Sequence, residues 1–493
     1  MSKRYKVFLF ALATLVISLG APSNVVSQDL DIHIQVRPGK TAVTNVSGSF
    51  NQAFRRIHPR NFTLLDDYGP ATGLSKRFGD VRLFTATGDA LGYRTFSTSE
   101  RLAEGVIGRF AYSADLAPST DPAVLAHVSW VADQSGLILL DDLLPQTAGR
   151  TARVKIELPA GWTMLSTEKL TGPNVFAVAD VEKAVFHLAS GQNSRAEAHK
   201  ERVHVAISGE WLFSDDEARA MAESIFGEFE RRYGPLPGPD YNIAIYKFPV
   251  PVPSGRWQAD TRGRSVTIVA SDMPFRSQSI QRLHEQLRHE IFHLWIPNGL
   301  NLGGSFDWFY EGFALYESLK LGVSLNRIRF DDYLDTLSRA INIDALESKH
   351  RSLIEASKSR WNGANTQLYA RGILVAFACD LALLAKSGGK HSVTNVLRTV
   401  FATHPLQSTR VDGNTAILKI LRGYPELVPI IDRNITGYSD IDWAPLLSAA
   451  GLELAARERS AHLRPVAKPS GRQRDLIDKL GYNSWRRLSG IKR

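Results

Sequence analysis

Arg288-His289-Glu290-Ile291-Phe292-His293-Leu294-Trp295 is the stretch on which the reading of this 493-residue chain turns. Its histidines stand four apart. At about 100° per residue they share one helical face and lie about 6 Å apart along the axis, able to converge on a single metal ion. Glu290 sits beside them. Ile280, Leu283, Leu287, Ile291 and Leu294 recur at helical spacing, which predicts a helix packed on a core, and Pro297 predicts its end. A hydrolytic zinc site needs a third protein ligand and one open position. After a loop rich in Gly and Asn, from Pro297 to Gly304, comes a second helical segment, Asp307-Trp308-Phe309-Tyr310-Glu311-Gly312-Phe313-Ala314-Leu315-Tyr316-Glu317. Glu311 is a carboxylate in an apolar run, costly to bury unless it is paired or bound to a metal. Two other carboxylates compete with it. Asp307 could cap the helix, and Glu317 could be solvated or could orient a zinc-bound histidine.

The chain around these helices is about three domain lengths long, and its 44% hydrophobic and 22% charged residues exclude a disordered or collagenous protein. One cysteine, Cys379, rules out an intrachain disulfide or a Cys-built zinc or iron–sulfur site, so any metal must be held by His and carboxylates. In its apolar run Cys379 reads as a small buried hydrophobe. From about residue 30 to 208, short β-rich runs between Gly, Pro, Asp and Asn signals predict an all-β sandwich; examples are Val81 to Phe84, Arg153 to Leu158, Val175 to Val178 and Arg202 to Ile207. The histidines of this half (His33, His58, His127, His187, His199, His204) lack metal-ligand spacing. From residue 209 the pattern turns helical. Ser214-Asp215-Asp216-Glu217 offers an N-cap, Ala218, Met221, Ile225 and Phe229 follow at helical spacing, and a short strand at Tyr241 to Tyr246 precedes mostly helical sequence to residue 455.

The net charge of +9 sits at the two ends, with Lys3, Arg4 and Lys6 at one and eleven Lys/Arg against three acids from residue 457 onward at the other. The body between is slightly acidic, which argues against a nucleic-acid partner. Lys3 to Lys6, the apolar run Val7 to Ile17 and the small residues Ser18, Gly20 and Ala21 read as a secretory signal, so an exported protein, periplasmic or secreted, is expected; an uncleaved anchor is the alternative. No later apolar stretch reads as a membrane span. In the basic tail, Leu476, Leu480 and Leu488 with Arg486 and Arg487 could form a short amphipathic helix on an anionic membrane surface; a solvated or docked terminus is the plainer reading.

His289-Glu290-x-x-His293 followed eighteen positions on by Glu311 in Trp-Phe-Tyr-Glu-Gly-Phe-Ala resembles the gluzincin metallopeptidases, most closely the glycyl aminopeptidase family (peptidase family M61). Tyr369-Ala370-Arg371-Gly372-Ile373-Leu374-Val375-Ala376 looks like that family's Tyr-x-Lys/Arg-Gly helix, with Gly388-Gly389-Lys390 and the stretch Asp442-Trp443 to Gly451-Leu452 in the expected order. The metzincin pattern is excluded, because Ile296 and Gly299 stand where it needs Gly and His. The resemblance implies Zn²⁺ held by His289, His293 and Glu311. It implies Glu290 as the general base toward a zinc-activated water and Tyr369 as hydrogen-bond donor to the oxyanion. Arg371 would pair with a carboxylate such as Asp380 or Glu317.

Two departures stand out. Relatives that trim N-terminal residues carry a Gly-Gly-x-Glu-like stretch whose acid binds the substrate amine, whereas this chain has Ser254-Gly255-Arg256-Trp257-Gln258-Ala259-Asp260, in which Asp260 could stand in for the acid or could merely shape a loop turn. Many relatives also end in a PDZ-type domain, for which the residues after Gly451 are too few. The expected organisation is a signal peptide at 1–28, a β-sandwich at 29–208, a gluzincin (thermolysin-like) catalytic domain at 209–405, its helical C-terminal part at 406–455 and a basic tail at 456–493. The expected fold class is α+β multidomain. The expected function is an exported zinc metallopeptidase acting on a peptide or protein substrate, of aminopeptidase type. A gluzincin-fold binding protein with little turnover and a zinc hydrolase of a non-peptide bond are the alternatives. Oligomeric state is not legible.

Overall fold

The structure, a computed structural model, describes residues 28–39, 42–51, 60–146, 150–191, 202–347, 351–457 and 460–483. The signal segment, His58, His199, Arg486, Arg487 and Leu488 lie outside them.

The N-terminal half is β-rich, as the spacing of its runs predicts. An eight-stranded sheet is built around Leu30–Gln35, which pairs antiparallel with Val43–Phe50 and parallel with Ala152–Glu157. A four-stranded antiparallel sheet centres on Ser135–Leu139 and Val185–Ser190. Alternation sets the faces: Ala152, Val154 and Ile156 are buried while Arg153 and Lys155 point out. Phe110, Tyr112, Phe176 and Phe186 fill the core between the layers, and the Tyr112 hydroxyl donates to the Leu143 carbonyl.

The second body starts earlier than a boundary at residue 208 allows. Val203–Ser208 pairs in parallel with Tyr241–Lys247, which pairs in parallel with Ser265–Ala270; Trp257–Arg262 closes the edge antiparallel. Period-two alternation marks a strand but does not say which sheet takes it, which is why Val203–Ser208 reads as part of the sandwich. The edge strand corrects a second expectation, because Asp260 lies within it and not in a loop turn. Helix Asp215–Tyr233 crosses between the first two strands from a capping box in which Ser214 and Glu217 satisfy each other's backbone amides.

Three helices carry the residues picked out by the motifs: Arg276–Phe292 with the first histidine, Asp307–Ser324 with Glu311, and Asn365–Ser387 with Tyr369. The last of these belongs to a stretch, Arg360–Ser387, that by length and composition could cross a membrane, contrary to the reading of the sequence; 83% of its most apolar window is buried in the protein, so it is a core helix here. It crosses the Glu311 helix backbone to backbone. A Cβ at Gly312 would lie 2.5 Å from the Gly372 carbonyl carbon, and one at Gly372 would lie 2.9 Å from the Gly312 Cα. Only glycine permits this approach. Gly312→Ala is therefore expected to lower stability by about 1–3 kcal/mol, as overpacking against backbone does; thermal unfolding of the purified variant measures it.

The basic tail is largely structured. Leu452–Arg457 and Ser460–Pro465 form a hairpin, and helix Gly471–Leu480, capped by Ser470, buries Leu476, Ile477 and Leu480 on the main core. Its apolar face is thus packed on protein as far as Leu480, which is the docked-terminus reading of this segment.

Candidate metal centre

The helix Arg276–Phe292 is buried along one face through Leu283, Leu287 and Ile291, which turns His289 and Glu290 toward a cleft between the two bodies; His293 follows as its C-cap residue. The crossing of the other two helices delivers Glu311 to the same point. His289 Nε2 lies 3.2 Å from His293 Nε2 and 3.3 Å from Glu311 Oε2, and His293 Nε2 lies 3.7 Å from that oxygen. These three side chains are the metal-capable group found among the described residues. His293 donates Nδ1–H to the Ile296 carbonyl at 3.0 Å, which leaves its Nε2 lone pair facing the centre. Glu311 Oε2 is buried without a hydrogen-bond donor. An orphaned carboxylate oxygen facing two imidazole nitrogens, beside an open cleft, is a donor set that fits Zn²⁺.

Burial pushes the Glu311 carboxyl up, yet the Arg360 guanidinium and His293 prevail and hold it well below the usual carboxylate range. Burial likewise pushes His293 down, but the Glu311 charge carries it to about 9.

Glu290 stands beside the three metal-capable side chains and is held by the edge strand. Its Oε2 accepts from Thr261 Oγ1 at 2.8 Å, and the same hydroxyl reaches the Glu290 carbonyl at 3.1 Å. Thr261 belongs to the edge strand, and Asn298 ties that strand to the end of the histidine helix by donating to the Thr261 and His293 carbonyls at 2.9 and 3.1 Å. Tyr369 is half-buried, and desolvation first and the Glu311 charge second raise its hydroxyl well above the ordinary value, so it stays a donor. Its oxygen accepts from Arg360 Nη2 at 2.8 Å.

All five residues singled out from the sequence, His289, Glu290, His293, Glu311 and Tyr369, line one cavity of about 540 Å³. Other assignments are corrected. Asp307 makes no cap bond and instead pairs with Arg360 at 3.2 Å. Glu317 is neither solvated nor turned to a histidine; it is fully buried against Tyr233 at 2.8 Å and Thr394 at 3.0 Å. Arg371 pairs with Asp344 at 3.1 Å, while Lys320 takes Asp380 at 2.8 Å. Asp260 is committed to Arg262 at 2.8 Å, and Arg262 in turn lies 4.1 Å over the Tyr68 ring and donates to the His127 carbonyl at 3.0 Å. Thr261, Asn298 and Arg360 were not picked out from the sequence; only Thr261, one residue beyond the stretch read for an amine-binding acid, had a signal near it.

No family model matches the chain, and no curated protein matches it in sequence. Solved structures do match in shape. An aminopeptidase N family protein from Idiomarina loihiensis superposes with a TM-score of 0.71 at 15% identity, over 90% of this chain and 82% of that one. An M1 zinc metallopeptidase from Deinococcus radiodurans gives 0.51 at 16% identity over 84% of this chain and 94% of that one, and a mutant of it bound to a Tyr-Ser-Ala substrate gives 0.52 at 15% identity over 84% and 95%. The chain has the multidomain α+β fold of these M1-type zinc metallopeptidases, with its His–His–Glu centre in the cleft between the β-rich and helical bodies.

Proposed function

We propose that this protein is a zinc-dependent peptidase, and the observation that carries the proposal is the meeting of three ligand side chains, a clamped Glu290 carboxylate and a donating Tyr369 hydroxyl around one cleft. Zinc held by His289, His293 and Glu311 supplies Lewis acidity at the cleft floor. Glu290, oriented by Thr261, takes the proton from the attacking water and hands it to the leaving amine. Tyr369 donates to the oxyanion that develops on the scissile carbonyl. These groups come from three helices, with Thr261 from the edge strand, so the arrangement is a product of the fold and not of one motif.

The aminopeptidase form of this reading is supported by the cleft walls. Trp361 lies against Gly69 and, ring to ring at 6.0 Å, against His127, closing one flank between the bodies. Asp141 and Glu182 of the N-terminal body line the same cavity and offer negative charge to a free amine. Asp260, already neutralised by Arg262, does not serve this purpose. Kinship with the glycyl aminopeptidase family rests on the sequence motifs alone, and export rests on the first 28 residues alone.

Full-length protein should be analysed for zinc and incubated with a mixed peptide library read by mass spectrometry. About one zinc per chain and products shortened by one N-terminal residue are expected. Internal cleavage would make it an endopeptidase. Bound zinc without products would favour a binding protein or a hydrolase of another bond, and no metal after reconstitution would end the proposal.

A further inference from the structure

The geometry points to Arg360 as a positioning residue for this centre, setting which oxygen Glu311 presents and where the Tyr369 hydrogen points; the inference rests on the zinc peptidase reading above. Arg360 is not one of the metal ligands, and no part of the motif contains it. It reaches the site through a short irregular turn, 360–364, in which Gly363 has a φ of 85° that favours glycine. Trp361 packs under the guanidinium at 4.5 Å and braces the turn against Gly69 of the N-terminal body.

The guanidinium fork divides between two tasks. Nη1 sits 2.8 Å from Glu311 Oε1 and 3.2 Å from Asp307 Oδ1. That engages one Glu311 oxygen and leaves the other, Oε2, facing the histidine nitrogens, so the carboxylate offers a metal one atom and not two. Nη2 donates to the Tyr369 oxygen at 2.8 Å. A phenol has a single hydrogen. With its oxygen accepting from Arg360, that hydrogen is left for an acceptor on the far side, where Glu311 stands and where the oxyanion would form. One planar fork thus fixes a metal ligand and an oxyanion donor relative to each other, which a lysine point charge cannot do.

The test uses the full-length protein loaded with Co²⁺, whose visible absorption reports ligand geometry without any turnover. Arg360→Gln is expected to shift that spectrum, and Tyr369→Phe to leave it as in the wild type. With zinc and a peptide substrate, Arg360→Gln is expected to lower kcat about 10–100-fold with little change in KM, as loss of an outer partner of a metal ligand does. In a Tyr369→Phe background the same substitution should cost far less, because residues that act as a unit are not additive. If Arg360→Gln does not fold, Arg360→Lys carries the cycle, since it keeps the charge and loses the fork; it should lower kcat much more beside Tyr369 than beside Phe. A Co²⁺ spectrum unchanged by Arg360→Gln overturns the Glu311 half, and an equal kcat loss in both backgrounds overturns the Tyr369 half. A wild-type protein that binds Co²⁺ but cleaves no peptide defeats the peptidase reading separately, and the spectrum still decides on Glu311.

Discussion

Glu290→Gln is expected to leave the zinc content at the wild-type level and to lower kcat for peptide hydrolysis by about 10²–10⁴-fold. The two halves of this result come from different bonds. Glu290 contributes no ligand atom to the His289, His293 and Glu311 set, so its replacement leaves the donor atoms in place. The carboxamide has the same shape, and its oxygen still accepts from the Thr261 hydroxyl that lies 2.8 Å from Glu290 Oε2. What it lacks is a site to receive a proton. Metal analysis and steady-state kinetics on one preparation check both halves; near-normal turnover in this variant would move the base elsewhere.

Glu311→Ala should do more damage, because two functions meet in that carboxylate. The first is ligation: two histidines without a third donor should fail to retain zinc through dialysis against a chelator. The second is charge. Glu311 and Arg360 are both deeply placed, and removing one member of such a pair leaves the other short of its partner, at a cost of roughly 3 kcal/mol or more. Asp307, 3.2 Å from Arg360, limits that cost. Adding Arg360→Met should restore much of the stability but none of the zinc, which separates the two roles. The stability loss also depends on pH. Since the folded protein holds the Glu311 carboxyl well below its unfolded value, the contribution is present above about pH 4.3 and fades as the pH falls further, so wild type and variant should converge in acid; the part made with His293 is lost at the other end, as the pH rises from about 6.5 through about 9. Denaturant unfolding of the metal-free proteins at neutral and acid pH measures this; a constant gap would show that Glu311 is not the charged partner.

How much of this was legible in the sequence depends on the range over which each signal acts. His289, Glu290 and His293 share one helix, so their spacing alone encodes their geometry. Glu311 could be noticed because a lone carboxylate in an apolar helix is expensive, and Tyr369 because a family resemblance pointed at it. Arg360 and Thr261 carry no comparable mark: an arginine before a tryptophan or a threonine in a strand is common, and only the crossing of strands and helices distant in sequence puts them beside the site; Asn298 is near the motif in sequence, but its bond to the edge strand shows only in the fold. Val203–Ser208 was legible as a strand and misplaced in its sheet for the same reason. The tail left two readings open because a basic amphipathic helix has the same pattern whether its apolar face meets lipid or protein; Leu476, Ile477 and Leu480 follow the docked one.

The docking of Ser460–Pro465 and Gly471–Leu480 bears on how the molecule comes off the ribosome. The N-terminal sheets draw their strands from residues 30 to 190 and are complete as soon as that stretch has emerged. The second body is not. Ala461 exchanges hydrogen bonds with Asn342, Leu463 donates to Ser338 at 2.9 Å, and Leu480 joins the core that surrounds the histidine helix. Translation must therefore run to about residue 480 before that core closes, and a nascent chain stalled shortly before residue 460 would carry every ligand of the centre on a body still open to chaperones and proteases.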